Sequence, residues 1–483
     1  MTLRLTLQWV AEAVGGRIAS GDPAFEIGNV VTDTRTLQAG DFFVALRGPR
    51  FDAHQFVREA LARGAAGAIV ERGFAGSTQR DPAYVSGSRE GLDRQTRRDT
   101  AIVEVADTTK ALQDLAHAVR KASGTRVIAI TGSAGKTTTK ETIAELLSTR
   151  FQIVKNRGNL NNHIGLPISL MQLRERPDVA VMELGMNHAG EIRTLVAIAE
   201  PEVRVWTNVG DAHLGFFASP DAIADAKAEI LEGARPEDVL VCNADDPRVM
   251  DRVGGFPGRT LTFGTSDRAV VRAHDVEDLG LDGTRARVVT PAGERVIQTP
   301  LLGRGNLSNV LAATAVALDS GVPLDDIAAG VGRLKPADRR GAVRRLRGGI
   351  TLIDDSYNSS PSALKRALDV IATETRASRK VAVLGEMLEL GDHAVRLHRE
   401  CGRAAAAAGL RLLFTVGGDP AKALADAAIE AGMPAGSVTH FDKSETASPT
   451  IAGAIRAGDL VLVKGSRGTR TDVVADAIAA EFA

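Results

Sequence analysis

The segment ITGSAGKTTTK, residues 130–140, carries the chemistry that is easiest to recognise in this chain. Val127 to Thr131 reads as a buried strand, the glycines as a tight loop, and an amphipathic helix starts near Lys136. In that order the backbone N–H groups from Gly132, Ser133, Ala134 and Gly135 to Lys136, Thr137 and Thr138 would cradle phosphate oxygens. Lys136 would set a point charge near the β and γ phosphates, and the Thr137 hydroxyl would face Mg²⁺. The usual first glycine of such a loop is replaced by Ile130, with Gly132 acting instead. A carboxylate after the next strand would complete a magnesium site, and Glu183 ends VAVMELG there, although strand-end acids are common for other reasons. His213 in NVGDAHLG is equally compatible with a plain hydrogen-bonded histidine, because Mg²⁺ prefers oxygen ligands.

The elements around this loop organise the chain into three parts. Residues 1 to about 105 read as mixed α/β: a strand then a helix at the N-terminus, strands in VVTDTR and GDFFVAL, and a helix in HQFVREALARG ended by Gly64. The polar stretch from Gly76 to Asp99 has no hydrophobic period and reads as a surface loop. A second part, 106–336, holds the phosphate loop, strand candidates DVAVMELG, VRVWTNVG, DVLVCNAD and TLTFG, and a helix with Ser219 as N-cap and Pro220 at its first position. A last helix near NLSNVLAATAVALDSGV closes it. In the third part, 337–483, continuous apolar strands (ITLIDDS, KVAVLGE, RLLFTVGG, DLVLVKG) alternate with helices, the pattern of a parallel, doubly wound sheet. The fold class is thus α/β in three domains, with a central P-loop ATPase-type domain and a C-terminal Rossmann-like one.

Composition bounds what such a protein binds. Among 483 residues, 44% hydrophobic and 25% charged, 59 basic side chains nearly cancel 60 acidic ones, giving a net charge of −1. That balance argues against nucleic acid or an anionic membrane as the main partner. Lysine is scarce, with 12 Lys against 47 Arg. Cys242 and Cys401 form no CxxC pair, which suits a reducing cytosol. With neither a signal-peptide pattern nor an apolar run of ~18 residues, the expectation is a cytoplasmic protein without membrane insertion.

Taken together, TDTRTLQAGDFFVALRGPRFDAHQFV, TGSAGKTTTK, NLNNHIGLP, MELGMNHAGEI, NVGDAHL, AKAEI, LLGRGNLSNVLAA, DDSYNSSP, VLGEMLELG and LVKGSRG resemble the Mur ligases, ATP-dependent amide-bond ligases of peptidoglycan precursor synthesis. The resemblance implies an N-terminal domain for the UDP end of the substrate, a central ATP domain and a C-terminal domain for the incoming amine. It implies a monomer that joins D-alanyl-D-alanine to UDP-N-acetylmuramoyl-tripeptide through an acyl phosphate, with ATP and two Mg²⁺. By the same resemblance Thr137, Glu183 and His213 would ligate magnesium, and Lys227 of AKAEI would do so as a carbamate; without it Lys227 reads as a solvated helix-surface lysine. Lys136, Lys227 and His213 would be the catalytic set. Asn309 would face the adenine side, Asp355 the ribose, and Arg340 the nucleotide, with Arg339 of the ADRRG run close behind as the second choice. Tyr357 and Asn358 would lie at the amine site, and Asn159, Asn161 and Asn162 toward substrate and γ-phosphate, although Asn also suits caps and turns. Thr34, Arg35 and Arg47 would lie near the uridine and diphosphate.

Two departures separate this chain from the sister ligase that adds a diamino acid one step earlier. The comparable strand end reads TVGGDPAKA with no DNPR, and DDSYN stands in place of DYAH. Folylpolyglutamate synthase would leave the N-terminal module unexplained. From another class, a small-molecule kinase or an inactive nucleotide-binding module would share the phosphate loop.

Overall fold

The computed structural model describes residues 2–74, 100–211 and 214–483. The expected Gly76–Asp99 loop and His213 lie outside the described residues. The chain divides into two compact units, the first made of Met1–Ala129, Phe151–Gly185 and Arg193–Pro201, the second of Ile130–Arg150, Met186–Ile192 and Glu202–Ala483.

The first unit opens with strands β1 (Arg17–Ser20), β2 (Val30–Val31), β3 (Phe42–Val44), β4 (Arg47–Gly48), β5 (Phe51–Asp52), β6 (Gly67–Glu71) and β7 (Ala101–Val105). Five of them form a sheet in the order β1-β7-β6-β3-β2, with β4 and β5 as a separate ribbon. Only β1 runs antiparallel in that sheet. Phe43, Ala68 and Val70 close a core with Val57 and Ala60 of helix Val57–Ala62. The chain start corrects the sequence reading: helix Leu7–Ala13 precedes strand β1, and the first residues contribute a lone bridge, Thr6 to Glu26. The reason is local, because the Thr6 hydroxyl accepts from Trp9 N–H and starts the helix at Leu7. Helix Thr108–Ser123 shows the same logic, with the Asp107 carboxylate accepting from the N–H groups of Thr109 and Lys110.

Next come β8 (Arg126–Thr131), β9 (Ile153–Lys155) and β10 (Val179–Glu183), with β10 between the other two. The second unit continues with β11 (Val203–Trp206), β12 (Val239–Asn243), β13 (Arg259–Gly264), β14 (Val271–Asp278), β15 (Thr284–Thr290) and β16 (Gly293–Thr299). Strands β11 to β14 are parallel, while β14, β15 and β16 form an antiparallel meander. Helix Gly303–Asp319 follows as expected, but a further helix, Leu324–Gly332, comes after it before the third part begins.

The C-terminal sheet contains β17 (Ala342–Arg345), β18 (Thr351–Asp355), β19 (Arg379–Gly385), β20 (Leu412–Val416), β21 (Val438–Phe441) and β22 (Asp459–Lys464), in the order β17-β18-β22-β19-β20-β21. All pairs are parallel except β17 with β18. Val381, Val383, Val461 and Val463 pack with Ile451 and Ile478 from two helices, each such side chain contributing about 1.5–3 kcal/mol on burial. The last strand lies beside the first full one, so the register sets Lys464 opposite Asp355 at their carboxyl ends. A switch in strand order of this kind opens a crevice where α/β sheets hold ligands. Among the described residues no helix is long and apolar enough to cross a membrane.

Candidate active site

The phosphate loop is built from the ends of β8 and β11. Thr207 N–H donates to Thr131 O at 3.0 Å. Asn208 then grips Ala134 from both sides, its Oδ1 accepting from Ala134 N–H at 2.9 Å and its Nδ2 donating to Ala134 O at 3.0 Å. Glycine is required at two points. At Gly132 a Cβ would stand 1.9 Å from Thr207 Oγ1, and at Gly135 2.1 Å from Asn309 Oδ1, with both residues at positive φ. Helix Lys136–Leu147 starts at Gly135 without a side-chain cap, and a helix N-terminus of this kind is where backbone N–H groups meet anions. The Lys136 ammonium folds back over the loop and donates to Gly132 O at 2.8 Å. Thr139, one turn on, donates to Asn309 Oδ1 at 3.3 Å.

Within the second unit this loop opens on a cavity of about 760 Å³, whose lining includes Ser133, Ala134, Gly135 and Thr138. Asn309, Arg340, Asp355 and Asn358 line it too, so these sequence-selected residues of the central and C-terminal parts meet in one place. Lys464 completes the wall: its ammonium donates to Asp355 Oδ2 at 2.6 Å and to Asn358 O at 3.0 Å. Arg340 lies over the Tyr357 ring, 4.3 Å from its centroid. Its neighbour Arg339 is committed elsewhere, donating to the Asp476 carboxylate at 2.9 and 3.1 Å. Between the two arginines of the ADRRG run, the geometry therefore puts Arg340 at the cavity. Tyr357 supports that arginine and is not part of the cavity wall.

Lys227 sits on helix Pro220–Ala228, which starts with Ser219 Oγ accepting from Ala222 N–H. Its side chain is 1% exposed, which overturns the solvated-surface reading. Among the described residues it makes no hydrogen bond or ion pair. Burial first, and the Lys136 cation second, hold its amine well below the ordinary lysine range.

In the first unit Glu183 ends β10, only 5% exposed. Asn156 brackets it, accepting from Glu183 N–H and donating to Glu183 O, both at 3.0 Å. Asn161 Nδ2 donates to the Glu183 carboxylate at 2.9 Å. Asn162 acts as a helix cap instead, its Oδ1 accepting from Ile164 and Gly165 N–H. Asn159 offers its carbonyl to Asn161 N–H. The residues expected at the diphosphate are already in ion pairs. Arg35 forks onto Asp33, whose carboxyl it pulls to about 2, and Arg47 pairs with Asp52 at 3.0 Å and Glu71 at 2.7 Å. Thr34 lies beside the Asp33–Arg35 pair.

No group of three or more His, Cys, Asp or Glu side chains suited to a metal occurs among the described residues. By type, Thr137 in the second unit and Glu183 in the first each carry the oxygen that Mg²⁺ prefers. An amine at Lys227 would not ligate; a carbamate there would add two oxygens.

Residues 130–317 match the Mur ligase middle domain, and residues 339–467 match the Mur ligase, glutamate ligase domain. The chain belongs to the Mur ligase family. Curated Mur ligase relatives include the UDP-N-acetylmuramoyl-tripeptide–D-alanyl-D-alanine ligase of Bacillus subtilis, 33% identical over 98% of each chain. Among solved structures, MurF from Acinetobacter baumannii matches at TM-score 0.85 and 32% identity, covering 99% of both chains. MurF ligase from Thermotoga maritima in complex with ADP matches at TM-score 0.78 and 28% identity, covering 94% of this chain and 97% of that one. Sequence reasoning singled out neither Asn208, Asp246 and Arg248 of the cavity in the second unit nor Asn156 beside Glu183 in the first. Asn208 and Asn156 stand inside or beside segments that carried the resemblance, NVGDAHL and NLNNHIGLP. Asp246 lies in the stretch that carried none, and there it caps helix Pro247–Met250 and accepts from Val209 N–H at 2.7 Å.

Proposed function

We propose that this Mur ligase joins D-alanyl-D-alanine to UDP-N-acetylmuramoyl-tripeptide with cleavage of ATP to ADP and phosphate, as a cytoplasmic monomer. One observation carries the ligase reading: the phosphate loop and the carboxyl ends of β18 and β22 line a single cavity. The choice of substrates follows the names of the relatives. The working division is a UDP-substrate domain at 1–105, an ATP domain at 106–336 and an amine-binding domain at 337–483.

A carboxylate resists attack by an amine because oxide is a very poor leaving group. Phosphoryl transfer from ATP to the tripeptide's terminal carboxylate gives an acyl phosphate. Attack by the dipeptide amine forms a tetrahedral intermediate that expels phosphate. The first obstacle is repulsion between a carboxylate and a triphosphate, so positioned cations carry most of the catalysis. Lys136 and the uncapped helix start hold the β and γ phosphates. Asn309, Arg340 and Asp355 orient the nucleotide, and Tyr357 and Asn358 border the incoming amine. Asn159, Asn161 and Asn162, with Thr34, Arg35 and Arg47, serve the UDP-substrate side.

Two Mg²⁺, held by Thr137, Glu183, His213 and a carbamylated Lys227, would supply the charge neutralisation between the two anions when bound. Burial supports the modification. A neutral amine is the form that takes up CO₂, and the Lys136 cation that disfavours an ammonium beside it favours a carbamate anion.

The test is phosphate release from ATP with UDP-N-acetylmuramoyl-tripeptide, with and without D-alanyl-D-alanine. Release and amide product that both depend on the dipeptide are expected. Release without the dipeptide would make the chain a kinase, and no release an inactive nucleotide-binding module.

A further inference from the structure

Helix Pro361–Thr373 turns one face to the cavity, where Ser362, Arg366 and Asp369 follow at helical spacing. Of the other basic groups that line the cavity, Lys464 pairs with Asp355, Arg340 lies over the Tyr357 ring and Arg248 pairs with Asp221, while Arg304 is exposed at the start of helix Gly303–Asp319. Arg366 makes no hydrogen bond or ion pair among the described residues, and feels the carboxylates of Asp355 and Asp369 only at longer range. What it does touch is bare backbone. A Cβ on Gly305 would lie 3.1 Å from both Cδ and Nε of Arg366, so the arm passes close over the backbone at the start of helix Gly303–Asp319.

The position along that helix says which part of a nucleotide this arm would meet. Asn309 abuts the phosphate loop, since a Cβ on Gly135 would strike its amide. Gly305 is four residues earlier, about 6 Å along the axis. Arg366 therefore lies one helical turn from the phosphate end of the cavity. A planar guanidinium one turn from the phosphate end, with no partner among the described residues, can offer its face to an aromatic ring.

On the reading that this cavity takes ATP, we propose that Arg366 is a further nucleotide-binding residue, and that the purine base stacks on its guanidinium. The contact is to the base, so it strengthens ADP and ATP alike and does nothing for a bare polyphosphate chain. The test is calorimetric binding of ADP and of inorganic tripolyphosphate to the full chain. Arg366→Ala should weaken ADP about five- to tenfold and leave tripolyphosphate unchanged. Arg366→Lys should recover little, because an ammonium keeps the charge and loses the plane.

Gly305→Ala, which presses on the arm without removing it, should weaken ADP about two- to threefold alone and not at all in the Arg366→Ala background, as expected for coupled neighbours. That cycle reads the contact even if Arg366→Ala loses stability. Wild-type affinity for ADP in Arg366→Ala would overturn this proposal alone. A parallel loss of tripolyphosphate binding would also overturn it, making Arg366 a phosphate ligand. Failure of the unmodified chain to bind ADP would overturn the nucleotide reading beneath it.

Discussion

Two buried basic side chains of the second unit have opposite surroundings. Arg204 on β11 is 1% exposed and fully engaged: it pairs with Asp238 at 2.7 Å and donates to Ile230 O at 2.9 Å. Lys227 is equally buried, three residues from that carbonyl, and engages nothing among the described residues. Burial pulls Arg204 below its usual value while Asp238 pulls it back, and a guanidinium stays charged in any case. With no such partner, the lysine is driven toward its neutral form. The difference separates a cation that secures the turn after helix Pro220–Ala228 from an amine that burial favours as neutral.

The largest effect should come from breaking the pair. Arg204→Met leaves the buried Asp238 with only the half-exposed Arg235 as its cationic partner, and should cost about 3 kcal/mol in chemical denaturation, the low end for a broken buried pair. Adding Asp238→Leu should return much of that loss; no loss in the single variant would remove the distinction between the two sites. Next, Lys227→Ala should cut ligase turnover about a hundredfold, or about 2.7 kcal/mol, with partial rescue by short carboxylic acids that replace the carbamate. Unchanged turnover would refute the role.

Stability should respond far less at this position. Lys227→Met should stay within about 1.5 kcal/mol of the parent, because a similar volume replaces an unpaired amine. A loss of several kcal/mol would mean the amine has a partner that matters for folding. The smallest effect concerns a third buried base, His398, whose Nε2 accepts from Met387 N–H at 2.9 Å and whose Nδ1 donates to Ala394 O at 2.7 Å. Burial lowers its pKa, so the unfolded chain takes up the proton first. The stability it contributes is complete above about pH 6.5 and declines as pH falls from there toward the folded value. Thermal melts of His398→Gln should lack that part of the decline.

Local signals made the phosphate loop and the C-terminal alternation readable from residues alone. Glycines, caps and apolar runs act within a few positions, so Ser219, Gly135 and the strand DLVLVKG could be placed without a structure. The meander β14–β16 was not readable, because its outward positions are polar and its pairing is between strands rather than within them. At the chain start, one threonine hydroxyl set the helix at Leu7 ahead of the first strand. In the site, Lys227 was legible by resemblance while its burial was not, since burial depends on what packs over a helix. Arg35 and Arg47 were legible as basic, but the carboxylates that occupy them include Glu71, distant in sequence from both. Arg366 gave no signal at all; its contact with Gly305 joins helices far apart in the chain.

The double grip of Asn208 on Ala134 has a consequence for how the protein meets its nucleotide. A loop already held in shape arrives at the encounter with little freedom left to surrender. The ordering was completed when the chain folded, and it is drawn from the stability of β8 and β11. A substitution at Asn208 would thus register as slower, weaker nucleotide capture, through the loss of its two hydrogen bonds to the loop.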